Sequence, residues 1–276
     1  MKPSFNHQPI YQQFIERVQI GLDLLDAESQ LEVKVFIAEQ QHVDGAFTDR
    51  GGRPDLYYSL FGYWLALAMN QNDVLTGLKA FAQNTRNEES VVDRFALMLI
   101  QQSLLKKRIS GWALIRAFLR DDHPINFSYQ LFLSLLLLDA GYGRKRWMYA
   151  VLRLLLRFYN VPEGAPCSLV AALTVARYEV GLPTAKMQQQ LLTYFEDGIG
   201  FRAFEQVQSG DLLSMGVALF ALQKSGFDTR LIAPTCFDFV QQCYDKGAFL
   251  SGDGDANRDV EYTFYGLLAL GCLKEN

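Results

Sequence analysis

The chain has 276 residues and a net charge of −4; half of its residues are apolar and 20% are charged. That is the composition of a folded globular protein long enough for one large core. Its Lys/Arg clusters, "KKR" at 106–108 and "RKR" at 144–146, are too short to make the basic surface of a nucleic-acid binder.

The opening stretch, "MKPSFNHQPIYQQF", has no apolar signal-peptide core. The longest apolar run, "LFLSLLLL" at 131–138, is too short for a membrane span. Apolar positions then recur at i, i+3, i+4 and i+7 from "QQFIERVQIGLDLL" (12–25) onward, the helical period, and no long stretch alternates as an exposed strand would. An N-terminal helical segment, 1–29, precedes a single domain over 30–276. Within that domain two kinds of helix alternate. Amphipathic helices are expected at 30–41, 73–83, 110–120, 144–159, 184–195 and 229–243. Between them lie helices apolar on nearly all sides, among them "DLYYSLFGYWLALAM", "APCSLVAALTVARY", "GDLLSMGVALFAL" and "DVEYTFYGLLALGCL". A helix apolar all round must be buried all round.

Equivalent positions in the buried helices are Ser59, Phe95, Ser128, Ser168, Ser214 and Thr263, spaced by 36, 33, 40, 46 and 49 residues. This is the period of a helical-hairpin repeat. The expected fold is all-α, an (α/α)6 toroid with six inner helices inside six outer ones; an open solenoid is the rival. Four cysteines in apolar contexts without a CxxC pair read as reduced thiols of a cytoplasmic protein, and three histidines do not suggest a His-rich metal centre.

Two repeat ends share a frame: "QHVDGAF" at 41–47 and "CYDKGAF" at 243–249, each followed by a Gly/Asp-rich loop; residues 197–201 read "DGIGF". "DLYYSLFGYWLAL" aligns with "DVEYTFYGLLAL", setting Asp55 over Asp259, Tyr58 over Tyr262, Ser59 over Thr263 and Gly62 over Gly266. The Gln-xxx-Gly-x-aromatic frame resembles the repeat of the prenyltransferase and squalene-oxidase superfamily, which includes protein prenyltransferase β subunits and triterpene cyclases. The resemblance spans roughly residues 30–273 and implies the toroid. It does not carry that superfamily's catalytic residues: Gly210 and Leu212 stand where the zinc-binding Asp and Cys would be, with Asp211 one position out of frame, and Tyr262 stands in place of the His. Zinc is therefore not expected. "DGDAN" at 253–257 matches the cyclase Asp-x-Asp-Asp acid only in part.

Asp253, Asp255 and Asp259 place oxygens at alternate positions, a weak Mg²⁺ or Ca²⁺ pattern; the competing reading is an Asx cap on the last buried helix. Arg94, Asp211, Arg258, Asp259 and Glu261 are candidate ligand-binding residues at a barrel rim, Arg94 resembling the anion-gripping Arg of the prenyltransferases; pairing with Asp93 or Glu89 is its structural alternative. Tyr58, Trp64, Phe127, Tyr262 and Tyr265 are candidate cavity-lining aromatics, with core packing as the alternative. Cys167 and the loop residue His123 offer only isolated nucleophile or base chemistry. Two functions follow. One is a divergent barrel holding an apolar, isoprenoid-like molecule without the standard zinc site, a transferase or cyclase if it is an enzyme. The other is a non-catalytic scaffold or binding subunit with a protein partner.

Overall fold

The computed structural model describes residues 8–85, 90–110, 127–142 and 146–274, with the side chains of 127–131, 141–142 and 146–148 excepted. Twelve helices lie within these residues. They are α1 (Ile10–Asp23), α2 (Ala27–Glu39), α3 (Leu56–Ala68), α4 (Asn72–Asn84), α5 (Val91–Leu104) and α6 (Phe127–Tyr142). The others are α7 (Arg146–Phe158), α8 (Cys167–Glu179), α9 (Ala185–Leu192), α10 (Leu212–Lys224), α11 (Ala233–Cys243) and α12 (Val260–Leu273). The protein is all-α, and none of the described helices is long and apolar enough to cross a membrane. The expected helix at 110–120 lies outside the described residues.

Burial separates the two kinds of helix. In α12, twelve of fourteen residues are buried and in α3 ten of thirteen, against three of thirteen in α4. Packing follows the same division. Helix α3 packs on α5, α5 on α6, α6 on α8, α8 on α10, α10 on α12, and α12 on α3. The amphipathic helices lie against these: α4 on α3 and α5, α9 on α8, α11 on α10 and α12.

Short antiparallel ladders, which the helical pattern did not announce, join the layers: β1 (Phe47–Thr48) with β2 (Pro54–Asp55), β3 (Phe195–Glu196) with β4 (Gly200–Phe201), and β5 (Tyr244–Asp245) with β6 (Ala248–Phe249). Each is two residues long, below the length at which alternation can be read. The aligned positions of the two repeat ends prove structurally equivalent. Asp55 and Asp259 cap their helices by accepting from the Tyr58 and Tyr262 amides, both at 2.8 Å. The Ser59 and Thr263 hydroxyls each bond the cap residue's carbonyl and receive the Phe47 or Phe249 amide. Those two phenyl rings lie directly on Gly62 and Gly266, where a Cβ would leave no room.

The glycine of the shared frame has one further role. Gly45 and Gly247 both have φ near +90°, which relieves the turn, and both bring backbone against the backbone of an outer helix. Gly45 abuts Gly77 of α4, while Gly247 abuts Glu32 of α2. Gln41 secures the first of these joints by donating from Nε2 to the carbonyls of Gly45 and Val74, each at 2.9 Å.

Helix α1 crosses the C-terminal parts of the buried helices, packing on α12, α3 and α6. Where it meets α12, Gly21 lies on the Leu267 carbonyl and Gly271 on the Arg17 carbonyl, so the two backbones touch. Phe14 projects from α1 into a group of rings, with centroids 4.5 Å from Phe220, 5.8 Å from Phe132 and 6.0 Å from both Trp64 and Phe264. These four rings belong to four different buried helices.

Candidate functional site

The starts of the buried helices share one end of the molecule, and their polar groups meet there. Asp211 caps α10 through the Ser214 amide at 2.9 Å, as Asp55 and Asp259 cap α3 and α12. Such caps are each worth ~1 kcal/mol. Two residues beyond each cap, the side chains are Tyr57, Leu213 and Glu261, and in α8 Ser168, which therefore does not share the register of Ser59 and Thr263 that the spacing suggested; nor does Ser214, three residues past its cap. Tyr57 donates to Glu261 Oε1 at 2.6 Å, bridging α3 and α12.

Glu261 is buried, and this desolvation, with the Asp259 and Asp211 charges adding to it, raises its carboxyl to about 8 against the ordinary 4.5; the Tyr57 hydrogen bond opposes the rise. Burial also raises Asp211 and Asp259, in spite of their amide hydrogen bonds. Asp259 is 1% exposed and meets Arg50 Nε at 2.7 Å, and Arg50 also reaches Asp255 at 2.6 Å while lying 5.3 Å from the Tyr262 ring centroid. Asp253 is hydrogen-bonded to the Ser251 hydroxyl. The 253–259 loop thus directs its carboxylates to a helix cap, an ion-pair bridge and a serine. Among the described residues no group of three His, Cys, Asp or Glu is placed to hold a metal.

Glu261 gives a testable pH dependence. Between pH 4.5 and 8 the folded chain keeps a proton there that the unfolded chain releases, so folding stability contributed by this group falls as pH rises through that window. Glu261→Gln should flatten the decline and raise the melting temperature at pH 8 by several degrees, at roughly 2–4 °C per kcal/mol. Calorimetric melting of both proteins from pH 5 to 8 measures it; parallel curves would place Glu261 in water.

The other sequence candidates are distributed differently. Arg94, and not Phe95 as the spacing suggested, occupies the register of Ser59 and Thr263, four residues past the cap, and its Nε is buried without a hydrogen bond. Asp93 is engaged instead in a capping box with Ser90. Arg258 lies outside the cluster, 5.8 Å from the Phe36 ring centroid. Tyr58 is half-buried beside Tyr57, and Trp64 and Tyr265 belong to the buried ring cluster. Tyr265 lines a cavity. The side chain of Phe127, and His123 altogether, lie outside the described residues. All four cysteines are buried free thiols, and burial pushes Cys167 well above the ordinary thiol range.

Between α1, α6, α8, α10 and α12 lies an apolar cleft with about 40 Å³ of enclosed space, or about 610 Å³ when measured out to solvent. Its walls are Phe132, Leu135 and Leu136 on one side and Leu213, Val217 and Phe220 on the other, with Ser168 and Tyr265 the hydroxyl-bearing residues of its lining. The α8 wall is built from small residues, Ala171 and Ala172, and Ile10 and Phe14 line the cleft from α1. A second cavity, with about 50 Å³ of enclosed space or about 480 Å³ measured out to solvent, shares Ile10, Leu135 and Val175 with the first and adds Asp139, Tyr149 and Glu179.

Sequence reasoning missed this second polar group. Asp139 is 5% exposed, accepts from the Ile10 amide at 2.7 Å and from the Tyr149 hydroxyl at 3.0 Å, and thereby supplies the cap that Pro9 does not give α1. Glu179 pairs with Lys224 at 2.7 Å, and Lys224 also donates to Gln13. The available signal was a carboxylate, Asp139, at the end of an apolar helix, and Glu179 and Lys224 in the last turns of two more. A scan of the chain against protein-family models finds no match, and a search of curated proteins finds no significant one.

Proposed function

We propose that the chain is an (α/α)6 toroid, a divergent relative of the prenyltransferase and squalene-oxidase repeat barrels, that binds an apolar, chain-shaped molecule in its central slot without a zinc site. Support for the ring comes from the packing order of α3, α5, α6, α8, α10 and α12, in which the last helix returns to the first. The glycine joints agree with it: the last repeat end sits on α2 as the first sits on α4. The observation that carries the ligand reading is the apolar cleft lined by small residues of α8 and by Ile10 and Phe14 of α1. Binding sites for small molecules are typically concave, mostly apolar and provided with few polar groups.

A second reading, the protein-interaction scaffold, is favoured by one surface. On α7, Val151, Leu154, Leu155 and Phe158 are 52–73% exposed and follow helical spacing. A contiguous exposed apolar stripe is the usual mark of an interface.

Native mass spectrometry with isoprenoid alcohols and diphosphates, with and without Mg²⁺, tests both readings. The expected result is one bound chain per protein, abolished by Ala172→Phe, which fills the cleft, in a protein that still melts cooperatively. Binding unaffected by that substitution would move the ligand elsewhere. No ligand but assemblies dispersed by Phe158→Glu would establish the scaffold reading.

A further inference from the structure

We infer that α7 is a membrane-docking helix whose outward face lies in the interface of an anionic lipid bilayer, with Val151, Leu154, Leu155 and Phe158 among the acyl chains and Arg153 and Arg157 at the lipid phosphates. This goes beyond the ligand-binding reading above and does not depend on it. It gives the exposed stripe a lipid surface in place of a protein partner.

Helix α7 carries two apolar faces. Tyr149, Leu152 and Leu156, at i, i+3 and i+7, form the inner one. Tyr149 and Leu152 line the second cavity, Leu156 is buried, and its carbonyl accepts from Arg177 Nη1 of α8 at 2.7 Å. At about 100° per residue, Val151, Leu154, Leu155 and Phe158 fall on the side away from that face. The inner stripe is enough to seat the helix on α8, and core packing gives no account of the outer one. Nor is a second stripe general in the outer layer. Among the described residues, α4 and α9 expose no large apolar side chain, α11 exposes Phe237, and α2 exposes Leu31 and Val35.

Charge selects the occupant. Residues 144–159 contain five arginines and lysines and no acid, in a chain whose net charge is −4. Arg153 and Arg157 are exposed and lie one turn apart, on the flank between the two apolar faces. Among the described residues neither guanidinium has an ion pair or a hydrogen bond. A second copy of the stripe would bring the same positive charges and no carboxylate to meet them. A standard protein interface draws on about 20–30 residues a side, and this stripe is four residues on one rod-shaped helix. An apolar ridge flanked by arginines is the form of an interfacial helix, which sinks its apolar side to the acyl boundary and keeps its cations at the headgroups. Arginine suits those phosphates through its paired N–H donors. Thirteen residues make a helix ~20 Å long, able to lie in the membrane plane and too short to span it. Where the ligand reading also holds, an apolar molecule dissolved in the bilayer arrives one helix away from the second cavity.

Vesicle flotation of the full chain tests the inference, on phosphatidylcholine alone and on phosphatidylcholine mixed with phosphatidylserine. The expected result is binding at least tenfold tighter to the mixed vesicles, weakened by added salt. Phe158→Glu should weaken that binding at least tenfold, and Arg153→Gln and Arg157→Gln by about fivefold for each arginine removed. These side chains are exposed, so the variants should melt as the wild type does, which separates lost docking from a lost fold. No binding to either vesicle would overturn the inference, and so would equal binding to both. Unchanged binding by Phe158→Glu would put the membrane contact elsewhere and overturn it too. Lipid-free assemblies seen by ultracentrifugation and dispersed by Phe158→Glu, in a protein that ignores vesicles, would return the stripe to a protein partner.

Discussion

Gly271→Ala is expected to destabilise the protein by ~3 kcal/mol, although the same change in an ordinary helix interior stabilises by up to ~1 kcal/mol. The reversal comes from the crossing of α1 and α12. A Cβ on Gly271 would approach the Arg17 carbonyl more closely than the 3.0 Å that real Cβ atoms keep, and the obstacle is backbone. No rotamer change relieves it. Helix α1 would have to lift from α12, giving up the reciprocal contact in which Gly21 lies against Leu267. For a domain of this size such a loss lowers the melting temperature by roughly 10 °C. Thermal and urea denaturation of the variant measure the effect. An unchanged or higher melting temperature would mean that α1 does not cross α12 at these glycines.

Phe14→Ala should have the next largest effect, ~3–5 kcal/mol, the usual range for emptying a buried phenyl position. Phe14 is 3% exposed, and four rings surround it. Its loss would also extend the cleft, since Phe14 is one of the cleft's lining residues. The variant should therefore show a lower urea midpoint and, where a chain binds, accept a longer one than the wild type. A cost below ~1 kcal/mol would place this ring outside the core.

The parts legible in the sequence were those with a local pattern. Alternating fully apolar and amphipathic helices marked which would be buried, and the alignment of Asp55 with Asp259, Ser59 with Thr263 and Gly62 with Gly266 identified residues with matching hydrogen bonds and ring contacts. The cap at Asp259 was also open to reading, because an Asx residue before an apolar helix has a mechanism of its own. What could not be read depends on residues far apart in sequence. Asp139 meets Ile10 across 129 positions and Arg50 meets Asp259 across 209, and neither pair carries a periodic signal. The role of α1 was hidden for the same reason. Phe14 belongs to an ordinary amphipathic pattern, and only the assembled structure sets it among rings from α3, α6, α10 and α12.

The bonds between the first and last repeat ends bear on how the chain is made. Arg50 with Asp259, Tyr57 with Glu261 and Glu32 with Tyr244 join residues 204–212 positions apart. In an open array each repeat can settle on its predecessor as it appears, but here α3 lacks a neighbour until α12 exists. At 5–20 residues per second, the ribosome needs roughly 10–40 s to supply it. Throughout that interval the ten buried residues of α3 are only partly covered. A nascent chain of this design should therefore depend on chaperone cover during synthesis, and should acquire protease resistance in one late step.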